Sequence, residues 1–178
     1  MDIEVALELL GFRDMTAEWD GITKSEVLQD NEVAVRHQLA DAAKQHNWKK
    51  TLEILNKRPD LSNVTRPDGR SLYTPLHQAA HGNAPVEVVQ KMVKMGAWRT
   101  LQNANGERPV DIARKKKHQH LVELLEPVYK THVSHKTLQK IQQHFHEIIL
   151  GRTGDLVTKS GLRLPELEPL LEIEQPRM

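Results

Sequence analysis

The chain has no cysteine among its 178 residues. That excludes a disulfide framework, a thiolate zinc site and a cysteine nucleophile together, and it suits a reducing compartment. Aromatic residues are scarce, at 4% of the total, which is low for an all-β protein and tips the balance towards helix. Charge of one sign is also missing. With 25 Lys and Arg against 24 Asp and Glu, no global field attracts nucleic acid or an anionic membrane. No apolar run approaches the roughly 20 residues of a spanning helix. The opening segment carries acids among its apolar residues and no basic stretch ahead of them, unlike a secretory signal. The expectation is a cytoplasmic protein without a membrane span, built as one compact unit or a short stack of repeats.

What is present is a repeat. Ala42-Ala43, Ala79-Ala80 and Ala113 are each followed by a few polar residues and then an apolar, helix-like run. The middle copy carries one extra residue in the loop between its two helices. Pro75 and Pro109 suit the first position of a helix, where the missing N–H has no partner to lose and φ is already set. The alanines that follow are good helix formers, small enough for a second helix to lie close against the first. Each unit is thus a tight helical hairpin, too small to bury its own apolar face, and neighbouring copies must stack to make a continuous core.

"TPLHQA" at residues 74–79 carries the pattern T-P-L-H-x-A, and the chain on this ground resembles an ankyrin-repeat protein. Gly96-Ala97 stands where that family closes its second helix, and Asn105-Gly106 where it turns its projecting finger. The resemblance implies an all-α solenoid of stacked helical hairpins with short β-turn fingers. It would be capped by an N-terminal helix and by a C-terminal helix plus extended tail. Residues 1–32 are expected as N-terminal capping helices, 33–130 as the stack (repeats about 33–65, 66–102 and 103–130), and 131–178 as a C-terminal helix and a Leu/Pro-rich docking tail. Three departures stand out. The first copy lacks Thr-Pro and the signature His, "RSLY" at 70–73 enlarges the second finger, and the third copy has Asp111 in place of the His and no glycine at Lys117.

The flanks differ in kind. Residues 2–10 place Ile3, Ala6, Leu7 and Leu10 on one helical face, and residues 137–150 place Leu138, Ile141, Phe145, Ile148 and Ile149 on one narrow arc, with Gly151 as the expected stop. Both ends are expected to act as lids over exposed core.

Ten histidines raise a metal-dependent hydrolase as the alternative function. His118/His120 and His144/His146 are two apart, about 200° around a helix, so neither pair chelates from a regular helix. Bringing His132 and His135 against His118 would be needed to build a site. The segment 151–161 has the look of a phosphate loop, but Thr158 and not glycine precedes Lys159-Ser160, and a helix, not a strand, precedes Gly151. Lys115-Lys116-Lys117 could touch nucleic acid, though three lysines at a helix end also complement its dipole.

The favoured reading is a protein-interaction module with no catalytic residues, no metal site and no cofactor, binding a protein partner and not a small-molecule substrate. The family's contact positions fall on Tyr73 and His81 in the second copy and on Asn105, Glu107, Lys115 and Lys116 in the third. Arg70 and Ser71 join them because the insertion enlarges that finger.

Overall fold

The computed structural model describes residues 19–173. The expected helix over 2–10 lies outside them. Within them the chain forms α1 (Asp30–Lys44), α2 (Trp48–Lys57), α3 (Pro75–His81), α4 (Val86–Lys94), α5 (Pro109–Lys115), α6 (Gln119–Leu125), α7 (His135–Thr153) and α8 (Leu156–Lys159). No strand is present among the described residues beyond an isolated antiparallel bridge between Ile22 and Leu162. The fold is all-α, as the repeat pattern implied. Pro75 and Pro109 are the first residues of their helices.

The three hairpins close in one way. The N–H groups of Asn47, Ala84 and His118 each donate to the carbonyl five residues back, on Ala42, Ala79 and Ala113, at 2.9–3.1 Å. One residue earlier the backbone turns left-handed, at His46 (φ 58°), Asn83 (φ 54°) and Lys117 (φ 63°). This is the helix-ending turn in which glycine is the usual occupant. Lys117 therefore adopts the glycine conformation with a full side chain. The loops run over 45–47, 82–85 and 116–118, so the extra residue is indeed in the middle copy.

Stacking puts the first helices α1, α3 and α5 in one layer and the second helices α2, α4 and α6 in another, each in contact with its neighbour along the layer. The alanines sit at the centre of this arrangement. Ala43, Ala79, Ala80 and Ala113 are fully buried, together with Leu55, Leu76, Val89, Met92, Leu121 and Leu125. Small residues there let the helices approach, and the larger ones fill the space between layers. Polar staples join successive units. Asn63 Nδ2 donates to the Gly96 carbonyl (2.8 Å) while its Oδ1 accepts from the Trp98 N–H (2.9 Å), and Ser62 Oγ donates to the Met95 carbonyl (3.0 Å). All of these lie at buried side chains, where an unmade bond is costly.

The C-terminal part divides the expected lid in two. The tail docks. Glu172 accepts from the Thr100 N–H (2.9 Å) and hydroxyl (2.6 Å), Glu166 from the Gln102 N–H (3.1 Å), and both oxygens of Glu168 lie 2.7 Å from Arg108 Nη2. The helix α7, by contrast, buries none of its residues. Its inward side is Leu138, Gln142, His146 and Ile149, with Gln142 and His146 bonded to the backbone of Leu167 and Pro165. Ile141, Phe145 and Ile148 face outward and are exposed. The apolar arc is rotated away because the tail between α7 and the stack offers unpaired backbone groups, which amide and imidazole side chains satisfy and isoleucine does not. Gly151 does not stop the helix, which continues to Thr153 and ends at Gly154 with φ 57°.

Candidate protein-binding groove

The second hairpin opens on a tight polar knot. The Thr74 N–H donates to His77 Nδ1 (3.3 Å), the His77 N–H donates to Thr74 Oγ1 (3.4 Å), and the hydroxyl lies 2.8 Å from Nδ1. With Nδ1 accepting, Nε2 carries the proton and donates to the Glu107 carbonyl at 3.2 Å, which ties the second hairpin to the finger of the third. His77 is fully buried, and burial pushes its pKa down to about 4. Its imidazole is thus a neutral structural part. In the third copy the Asp111 carboxylate does the equivalent work by accepting from the Arg108 N–H at 2.9 Å.

The insertion 70–73 leaves this knot and turns outward. Leu72 stands at φ 52° and Asp68 at φ 59°, a conformation in which a bulky side chain such as leucine is uncommon. The result is a cleft of about 560 Å³ between the first and second hairpins. Its floor is apolar, formed by Leu39, Ala43, Val64 and Pro75, and its rim is basic. Arg70, Ser71, Tyr73 and His81 all line it. Tyr73 is held between two imidazoles, with ring centroids 5.5 Å from His77 and 6.1 Å from His81. Burial, followed by the Glu107 carboxylate, raises the Tyr73 phenol above its ordinary pKa. Burial also lowers His81, helped by Lys116, His46 and His118.

The third-copy residues form a second cluster beside the first. Lys115 Nζ lies 2.9 Å from Glu107 Oε1, and Glu107 also accepts from Asn103 Nδ2 (3.0 Å). Those two bonds lower the Glu107 carboxyl to about 2, and the same ion pair raises Lys115. The Asn105 N–H is turned inward onto Asn103 Oδ1 (2.8 Å), and Lys116 is exposed. None of these four lines the cleft, but the Ala104 N–H donates to the Ser71 carbonyl (3.0 Å), so the two fingers are joined edge to edge. Arg36, Lys44 and Arg66 complete the basic lining and were not among the residues expected from sequence. The signal for Arg36 and Lys44 was present as an eight-residue spacing along α1, which puts them near one face.

Residues 71–104 match the family model described as Ankyrin repeat. These residues carry an ankyrin repeat. The match runs from the enlarged finger through α3 and α4 to the next finger, and the hairpins on either side repeat the same closing turn. Ankyrin repeats suggest a protein-interaction module, and the family is generally non-enzymatic. Among the described residues no three His, Asp or Glu side chains come together to hold a metal ion. His118 Nδ1 instead lies 2.9 Å from the Ala80 carbonyl and His146 Nε2 2.7 Å from that of Pro165. The basic run is partly neutralised, since Arg114 pairs with Glu126 and Lys115 with Glu107. No helix among the described residues is long and apolar enough to cross a membrane.

Proposed function

We propose that this protein, which carries an ankyrin repeat at residues 71–104, is a cytoplasmic interaction module that binds a protein partner without catalysis, through the fingers and the exposed side of the first helices. The stack over 33–130 supplies the surface, with 1–32 and 131–178 flanking it. The single observation that carries this reading is the convergence of Arg70, Ser71, Tyr73 and His81 on one cleft of about 560 Å³. The third-copy residues Asn105, Glu107, Lys115 and Lys116 extend the same face. A cleft walled by helices and braced by the buried Thr74–His77 knot presents its side chains already ordered, which lowers the entropic cost of association. Tyr73 is the best anchor, since a large, half-buried aromatic at the centre of a rigid surface is the kind of residue on which binding energy concentrates.

The test is affinity purification of the full chain from its native cell extract, followed by calorimetry with the recovered protein. Binding in a one-to-one ratio that Tyr73→Ala weakens at least about tenfold is the expected result. Recovery of no stoichiometric partner, or a partner indifferent to Tyr73 and Arg70 alike, overturns it.

A further inference from the structure

We propose that the cleft between the first and second hairpins recognises an acidic segment of the partner protein, its carboxylates held by Lys44 and Arg70 and its apolar side chains seated on Leu39, Ala43 and Val64. This rests on the interaction reading above and adds the chemistry of the partner.

The charge of the lining is one-sided. Arg36, Lys44, Arg66 and Arg70 border the cleft and no Asp or Glu among the described residues does, although the chain as a whole is almost neutral. Two of the four are compensated from outside the cleft. Arg36 Nη2 lies 2.5 Å from Asp20, and Arg66 pairs with Asp41. Lys44 and Arg70 are exposed and have no partner among the described residues. Arg36 is itself buried, and its Nε has no hydrogen-bond acceptor, the Glu32 carboxylate standing 4.0 Å away. The lining therefore keeps two cations, Lys44 and Arg70, that an arriving carboxylate can meet without displacing an ion pair among the described residues.

The same chain shows how such a segment is held. Its tail is a Glu, Leu and Pro strip, and Glu166, Glu168 and Glu172 fasten it to the backbone N–H groups and Arg108 of the neighbouring finger. The second finger has the matching cations and no strip. Its insertion, with Leu72 in the left-handed region, builds one wall of the cleft. Such a conformation costs on the order of a hydrogen bond and persists only where the surroundings impose it. A nucleic acid fits less well. The floor is apolar, and Tyr73, the one Phe, Tyr or Trp that lines the cleft, already stacks on His77 and meets His81 edge-on, leaving no free platform for a base.

Fluorescence anisotropy on the full chain tests this with three labelled probes: a peptide alternating glutamate and leucine, its glutamine counterpart, and an oligothymidylate. The glutamate peptide is expected to bind at least about tenfold more tightly than the glutamine one, to weaken as salt is raised, and to lose about tenfold in the double variant Lys44→Glu, Arg70→Glu. Both side chains are exposed, and an unchanged circular dichroism melt confirms that the variant is folded. Equal binding of the two peptides, binding of neither, tighter binding of the oligonucleotide, or indifference to the double variant overturns the proposal. So does concentration-dependent dimerisation abolished by the same variant, because a second copy would then be the occupant. A native partner lost on Tyr73→Ala but indifferent to Lys44→Glu, Arg70→Glu leaves the interaction module standing and removes only its acidic specificity.

Discussion

The two neighbouring fingers of this protein manage charge in opposite ways. On the third finger, Glu107 is matched by Lys115 and Arg108 by Glu168, and the tail closes over the backbone donors of Thr100 and Gln102. On the second, enlarged by residues 70–73, Arg70 has no partner among the described residues, and with Lys44 it lines a cleft to which no described Asp or Glu contributes. One surface holds a later segment of the same chain, and the other is the one proposed to receive a partner. The tail adds stability at the third finger because Glu172 satisfies the Thr100 N–H and hydroxyl, which would otherwise be buried and unmet. The second finger's cations contribute little to folding, so selection for stability does not explain them.

Acid is expected to produce the largest effect, because the second hairpin is capped by a buried imidazole and the third by a carboxylate. The folded pKa of His77 is about 4, against roughly 6.5 unfolded. Above that unfolded value both states hold the ring neutral and its contribution is complete. As pH falls from about 6.5 towards about 4 the unfolded chain takes up the proton first, so stability is lost across this window, by up to about 3 kcal/mol. Urea denaturation midpoints measured through that range should fall, and His77→Gln should flatten the slope. A slope unchanged by the substitution would assign the acid sensitivity elsewhere.

Next comes the closure of the third finger. Glu172→Ala removes the acceptor for the Thr100 N–H and hydroxyl, at a side chain only 6% exposed. The expected cost is about 2 kcal/mol, since buried donors are left unmet. Hydrogen exchange at Thr100 and Gln102 should quicken as the tail lifts. A smaller gain is predicted at the turn closing the third hairpin. Lys117→Gly relieves a left-handed residue at φ 63° and should stabilise the protein by about 1 kcal/mol in thermal or urea unfolding. The smallest effect belongs to the open finger. Arg70→Ala and Lys44→Ala should each change stability by less than about 0.5 kcal/mol, and a larger loss would mean that these cations serve the fold and are not held in reserve.

Much of this was legible beforehand. The prolines at 75 and 109, the alanines and the 74–79 pattern gave the helical hairpins and their stacking. The extra residue of the middle loop could be counted along the chain. Less legible was the partner of the apolar arc on α7. Periodicity located Ile141, Phe145 and Ile148 on one face, yet the side turned inward carries Gln142 and His146, because the tail it meets exposes carbonyl and N–H groups. The basic cleft was visible only in part. Arg70, Ser71, Tyr73 and His81 follow from the repeat and its insertion, whereas Arg36, Lys44 and Arg66 belong to other units and reach the same space only once α1 lies beside α3.

By itself the sequence determined the repeating unit: where helices begin, where they turn, and which residues are small enough to let them stack. These are local properties, set by backbone sterics and by a period that can be read within each copy. The tertiary structure decided which charges are consumed and which stay free. Pairing between Glu168 and Arg108, or between Asp20 and Arg36, joins residues 60 and 16 positions apart, and distances of that kind are fixed by how the layers and the tail pack and by no pattern along the chain.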